Sequence, residues 1–118
     1  MTSSHDYKKD RRNDKIKIFI NGKFFNRNNA KISVFESSNL LGDGIWTGIR
    51  LHNEKLLFLK DHLQRLYDDA KAISLKIHVN KKELTKYLIQ TVKKNKMLSD
   101  VHIRLIISRG IKSTPYQD

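Results

Sequence analysis

The apolar residues of this chain change period twice, and no other feature restricts its possible folds so strongly. Ile16, Ile18 and Ile20 alternate with Lys17 and Phe19, and a second strand-like stretch runs over 45–52. From Asp61 onward the spacing becomes helical: Leu63, Leu66, Ala70 and Ile73 form one stripe, and Leu84, Leu88 and Val92, with Tyr87 beside them, form another. Val101, Ile103, Leu105 and Ile107 then alternate again, with His102 and Arg104 on the opposite face. A period of two puts every second side chain on one face of a strand, whereas a period of 3.6 builds a stripe along a helix. Strands, two helices and a final strand therefore predict an α+β domain, a mostly antiparallel sheet with both helices packed on one face.

Local signals set the boundaries. Asn21-Gly22 between two apolar runs predicts a tight hairpin, because both turn residues must take positive φ. Ile32, Ser33, Val34 and Phe35 alternate briefly, which predicts a further short strand before the turn-rich segment ending in Gly42-Asp43-Gly44. A turn at Asn53-Glu54 should return the chain through 56–59, helices are expected over 61–74 and 80–95, and a strand over 101–107. Asn80 with Glu83 three residues on is a capping-box pattern, side-chain oxygens taking up free amide donors at a helix start. Residues 1–15 offer nothing to bury and are expected to be a disordered extension. The domain should occupy 16–112, with 113–118 beginning a connection.

Composition narrows the function classes. A chain of 118 residues, 38% hydrophobic, can bury one modest core. It has no cysteine, so disulfides and thiolate metal sites are excluded, and no metal site is expected. No apolar run reaches the roughly 20 residues that a bilayer crossing requires, so a soluble cytoplasmic protein with no membrane contact is expected. The net charge of +12, from 24 Lys+Arg against 12 Asp+Glu, admits a basic nucleic-acid-binding module as an alternative. The cations are spread along nearly the whole chain and form no stripe with stacking aromatics, which favours a solvated surface over a nucleic-acid partner.

Two groups of residues could carry chemistry. The glycines around Asp43 and Trp46 point to special dihedrals or a close approach, though a tight turn feeding a strand would use them equally well. Arg65 stands one helical turn from Asp61 and Asp69, where an exposed intrahelical ion pair is the ordinary outcome. His102 and Arg104, two residues apart on one strand face, are either a solvated edge or convergent donors for a carboxylate, which matches the planar fork of arginine.

The segments Ile18-Phe19-Ile20-Asn21-Gly22-Lys23, Ala30-Lys31-Ile32-Ser33-Val34-Phe35, Gly42-Asp43-Gly44-Ile45-Trp46, His62-Leu63-Gln64-Arg65-Leu66, His102-Ile103-Arg104 and Ser108-Arg109-Gly110 follow one another in an informative order. In order and spacing, over about residues 16 to 112, the chain resembles the N-terminal small domain of class IV (fold-type IV) pyridoxal-phosphate aminotransferases, the D-amino acid aminotransferase-like fold. The resemblance implies that Arg65 binds the phosphate of pyridoxal 5'-phosphate, that Trp46 lines the substrate side-chain pocket, and that His102 and Arg104 receive the substrate, the arginine taking its distal carboxylate. Gly48-Ile49-Arg50 favours the branched-chain branch, with amino acid and 2-oxo acid substrates such as 2-oxoglutarate. Thr47, where transaminases commonly carry glutamate, and His102, where branched-chain enzymes carry tyrosine, keep D-amino acid aminotransferases and aminodeoxychorismate lyases as alternatives. Family members hold the cofactor on a Schiff-base lysine in a larger C-terminal domain and are usually homodimers. No lysine of this sequence matches that one, so the chain is expected to be a fragment, inactive without that domain, and no catalytic residue is nominated.

Overall fold

The computed structural model describes residues 9–113. The described chain packs as two compact units that divide between Ala30 and Lys31, where the sequence predicts one domain over 16–112. Among the described residues the strands form two sheets, a two-stranded one and a three-stranded one.

The first unit is a hairpin. Strands β1 (Lys17–Ile20) and β2 (Lys23–Asn26) pair antiparallel, Ile20 opposite Lys23. Asn21 and Gly22 between them take φ of 49° and 89°, the double positive that the dipeptide predicts. Phe19 and Phe24 meet edge to face at 5.4 Å. Of the stretch read as a disordered extension, residues 1–8 lie outside the described residues. Arg11–Asn13 form a single 3-10 turn, which Asp10 caps by accepting the Arg12 amide at 2.9 Å. None of its residues is buried.

The second unit carries the core. Residues 32–35 do not form the expected strand; they lead into a short helix, α1 (Ser37–Leu41), that the alternation conceals. Ser37 is buried and donates its backbone N–H to Gly110 O at 2.8 Å, and Ser38 N–H reaches Ser108 Oγ at 3.0 Å. Long-range polar anchoring, which no local pattern encodes, is what makes this turn helical. Gly42 ends it in the left-handed region, φ 65°, where a Cβ would be strained.

Strand β3 (Gly44–His52) is central, with β4 (Lys55–Leu56) on one side and β5 (Val101–Ser108) on the other, all antiparallel. The turn between β3 and β4 is the expected Asn53-Glu54, both at positive φ. β4 is shorter than expected because Phe58 turns left-handed and starts α2 (Leu59–Ala72) early. α3 (Lys81–Lys94) begins where Asn80 Oδ1 accepts the Glu83 amide at 2.8 Å. Leu63 and Leu66 of α2, Leu84 and Leu88 of α3 and Ile49 of β3 form one buried cluster. Both helices thus cover the face of the sheet that bears Ile49, as the single stripe on each helix requires. No described helix is long and apolar enough to cross a membrane.

Candidate functional site

Strand β3 alternates strictly, and that alternation sorts the candidate residues. Thr47, Ile49 and Leu51 are buried toward the helices; Trp46, Arg50 and His52 point the other way. In register, Trp46 faces Ile106, Gly48 faces Arg104 and Arg50 faces His102, so the open face of the sheet gathers side chains from two strands that are distant in sequence. Trp46 and Ile106 remain 55% and 54% exposed there, more than a core position would tolerate.

Two contacts fix the polar groups of this face. The guanidinium of Arg104 lies over the Trp46 ring, 4.1 Å from its centroid, a cation–π contact. His102 lies against Gly48: a Cβ on that glycine would sit 2.5 Å from the imidazole Cε1, closer than real atoms approach. Gly48 therefore gives the His102 ring the room it occupies. Arg104 and Trp46 are thus in contact, and His102 lies on the same exposed face of β5 as Arg104.

Arg65 belongs to the other side of the same strand. It projects from α2, and its Nη2 donates to His62 Nδ1 at 3.0 Å; that ring nitrogen lies 3.1 Å from Oγ1 of the buried Thr47. Since Trp46 and Thr47 are consecutive in a strand, their side chains must diverge, and Arg65 stands with Thr47. Arg65 forms no ion pair with a carboxylate among the described residues, so the expected pairing with Asp61 or Asp69 is absent. Its guanidinium is exposed and its charge is unneutralised. That combination suits a dianionic phosphate, which a planar fork binds through two parallel N–H bonds. Two shallow pockets of about 260 and 300 Å³ open elsewhere, one along residues 14–28 and one along 64–81, and none of the four candidates lines either.

Thr47 and His62 are the residues that sequence reasoning did not nominate for a site. The signal was present in part: His62 precedes Arg65 by three positions and so shares its helix face, whereas the Thr47 contact is fixed only by tertiary packing. The Gly-Asp-Gly and Ser-Arg-Gly motifs also prove to be partners. Arg109 Nε donates to Asp43 at 2.6 Å, while its terminal nitrogens reach Ile73 O at 2.6 Å and Ser74 O at 3.1 Å, the carbonyls of the C-cap of α2 and the residue after it. One arginine thus pins the start of β3, the end of β5 and the end of α2.

Comparison with known proteins identifies the family. The family model for class IV amino-transferases matches residues 44–117, well over half of the chain. The chain belongs to that family. A Methanocaldococcus jannaschii protein, provisionally named a branched-chain-amino-acid aminotransferase, is 41% identical over 96 residues, which is 81% of this chain and 33% of that protein. A D-alanine aminotransferase of Staphylococcus epidermidis is 34% identical over 83 residues, 70% of this chain and 29% of its own length. Among solved structures, the T.th. branched-chain amino acid aminotransferase complexed with N-(5'-phosphopyridoxyl)-L-glutamate superposes with a TM-score of 0.75 at 28% identity, covering 84% of this chain and 34% of that one. The chain thus spans about a third of the length of these relatives.

Proposed function

We propose that this chain is the N-terminal small domain of a pyridoxal-phosphate-dependent transaminase that moves an amino group between branched-chain L-amino acids and 2-oxoglutarate. The observation that carries the proposal is the Trp46–Arg104–His102 group on the open sheet face. Arg104 is held over the Trp46 ring at 4.1 Å and pairs with no carboxylate among the described residues, which suits it to the distal carboxylate of glutamate or 2-oxoglutarate. Trp46 beside it offers apolar surface for an aliphatic side chain. Arg65 holds the cofactor phosphate from the other side of β3. Bound pyridoxal phosphate supplies the electron sink for amino transfer, and this domain contributes binding and orientation. The glutamate adduct in the T.th. relative supports the choice of acceptor.

A second reading within the family is a D-amino acid transaminase, favoured by the Staphylococcus epidermidis relative and by a histidine at 102. Thr47 does not favour it, because its side chain is turned to the helices and occupied with His62. Members of the family are expected to pair as homodimers with a C-terminal large domain completing each site. The test is an amino-transfer assay on the complete gene product with L-leucine, L-valine and D-alanine as donors. Turnover of the L-substrates that falls at least about tenfold in Arg104→Ala, chiefly through the 2-oxoglutarate KM, agrees with the proposal. Turnover of D-alanine alone, or an unchanged KM in Arg104→Ala, rejects it.

A further inference from the structure

We infer that His62 is a positioning residue for Arg65: its Nδ1 lone pair, held against the Thr47 hydroxyl, sets the guanidinium in the orientation that receives a phosphate. This inference rests on the phosphate role of Arg65 proposed above. Its basis is donor and acceptor arithmetic. A guanidinium carries N–H donors and no acceptor, so the 3.0 Å contact between Arg65 Nη2 and His62 Nδ1 exists only if Nδ1 accepts. The ring proton of the neutral imidazole then sits on Nε2. Thr47 Oγ1 lies 3.1 Å from the same nitrogen, and because Nδ1 offers a single lone pair its hydroxyl shares that lone pair with Arg65 in a bifurcated contact. Thr47 is 6% exposed and fixed on the central strand, so it anchors the ring to the rigid part of the sheet.

The arrangement solves a problem that Arg65 otherwise has. Its side chain is long, exposed and without a carboxylate among the described residues to hold it. A free arginine surrenders rotamer entropy when it binds an anion, which weakens the complex. A carboxylate would hold it but would also neutralise the charge that a dianion needs. A neutral ring nitrogen orients the fork and leaves its charge intact. One N–H is spent on His62, and the remaining donors are left for two phosphate oxygens.

The experiment uses the 118-residue chain and pyridoxine 5'-phosphate, whose alcohol cannot condense with lysines as an aldehyde would. Nitrogen-15 shifts of the histidine rings should report His62 protonated at Nε2 with Nδ1 bare. His62→Leu should weaken pyridoxine 5'-phosphate binding about fivefold, the equivalent of about 1 kcal/mol for one charge-assisted hydrogen bond. His62→Asn, whose amide oxygen occupies the place of Nδ1, should recover affinity to within about twofold, which a purely structural role for the ring would not produce. A proton on Nδ1, or His62→Leu binding as tightly as the unmodified chain, overturns the inference. Arg65→Ala separates the two levels. If it leaves affinity unchanged, the phosphate role itself fails; if it weakens binding while His62→Leu does not, only the positioning role fails. Should His62→Leu not fold, the ring shifts of the unmodified chain decide alone.

Discussion

Gly48 is the residue at which sequence and site meet most directly. In the sequence it is one of several glycines near a turn, and nothing local separates it from Gly42 or Gly44. In the structure its missing Cβ is the space that the His102 imidazole fills, at 2.5 Å from where that carbon would stand. Gly48→Ala should therefore fold, since its φ is ordinary and the obstacle is the end of a side chain, yet it should push His102 off the sheet face. Histidine ring shifts and a 2-oxoglutarate titration would report it: the His102 resonances move and carboxylate affinity falls, while the thermal midpoint changes little. Gly44 differs, because a Cβ there would meet the Ile107 carbonyl oxygen at 2.8 Å, backbone that cannot swing aside. The identities of Trp46, Arg104, His102 and Arg65 as a candidate set were legible in the sequence through motif order. Their division between two faces followed from strand alternation once Thr47 was seen to turn inward. Thr47 and His62 were not legible as a pair, because a contact between a strand and a helix is invisible to any short-range pattern.

The helices and central strands were the elements easiest to read, since each carries a stripe or an alternation that only one face can satisfy. α1 was missed because its stability comes from Gly110 and Ser108, some seventy residues downstream, and the apolar alternation of 32–35 pointed to a strand. The clasp through Arg109 is the same kind of long-range fact, and it predicts a measurable dependence. Arg109→Ala should lower the urea midpoint by the equivalent of about 2 kcal/mol, because it strips two carbonyls at the end of α2 and one partly exposed carboxylate of their partner. Arg109→Lys should recover only part, a single ammonium being unable to reach both groups at once. An unchanged midpoint would mean that water replaces the arginine at no loss. Tyr67 offers a pH test of the junction between α2 and α3, where its hydroxyl donates to the Val79 carbonyl. Burial, helped by the charge of Glu83, raises its phenol above the ordinary 10.0. Stability from the neutral phenol is therefore fully present below that ordinary value and lost as pH rises through the raised one. Tyrosinate absorbance should contain a late-ionising component that Tyr67→Phe removes, and a titration identical in the two chains would contradict it.

At the scale of the whole molecule, the proposed role rests on one central strand with candidate residues on both sides. The helices cover the face that bears Ile49, so the opposite face of β3 and β5 is where Trp46 and Ile106 stay exposed. The net charge of +12 is compatible with anionic ligands of any kind, and the proposal of small anions over a polyanion rests on two arginines, one over the Trp46 ring and one against a ring nitrogen. The measurement that bears most directly on this account is a shift map of the nitrogen-15-labelled chain titrated separately with pyridoxine 5'-phosphate and with 2-oxoglutarate. The account predicts two largely disjoint responses: the phosphate moves the side-chain signals of Arg65 and His62, and the dicarboxylate moves the Trp46 indole and Arg104. A single diffuse response over the surface lysines for both ligands, with Arg65 and Arg104 unmoved, would contradict it.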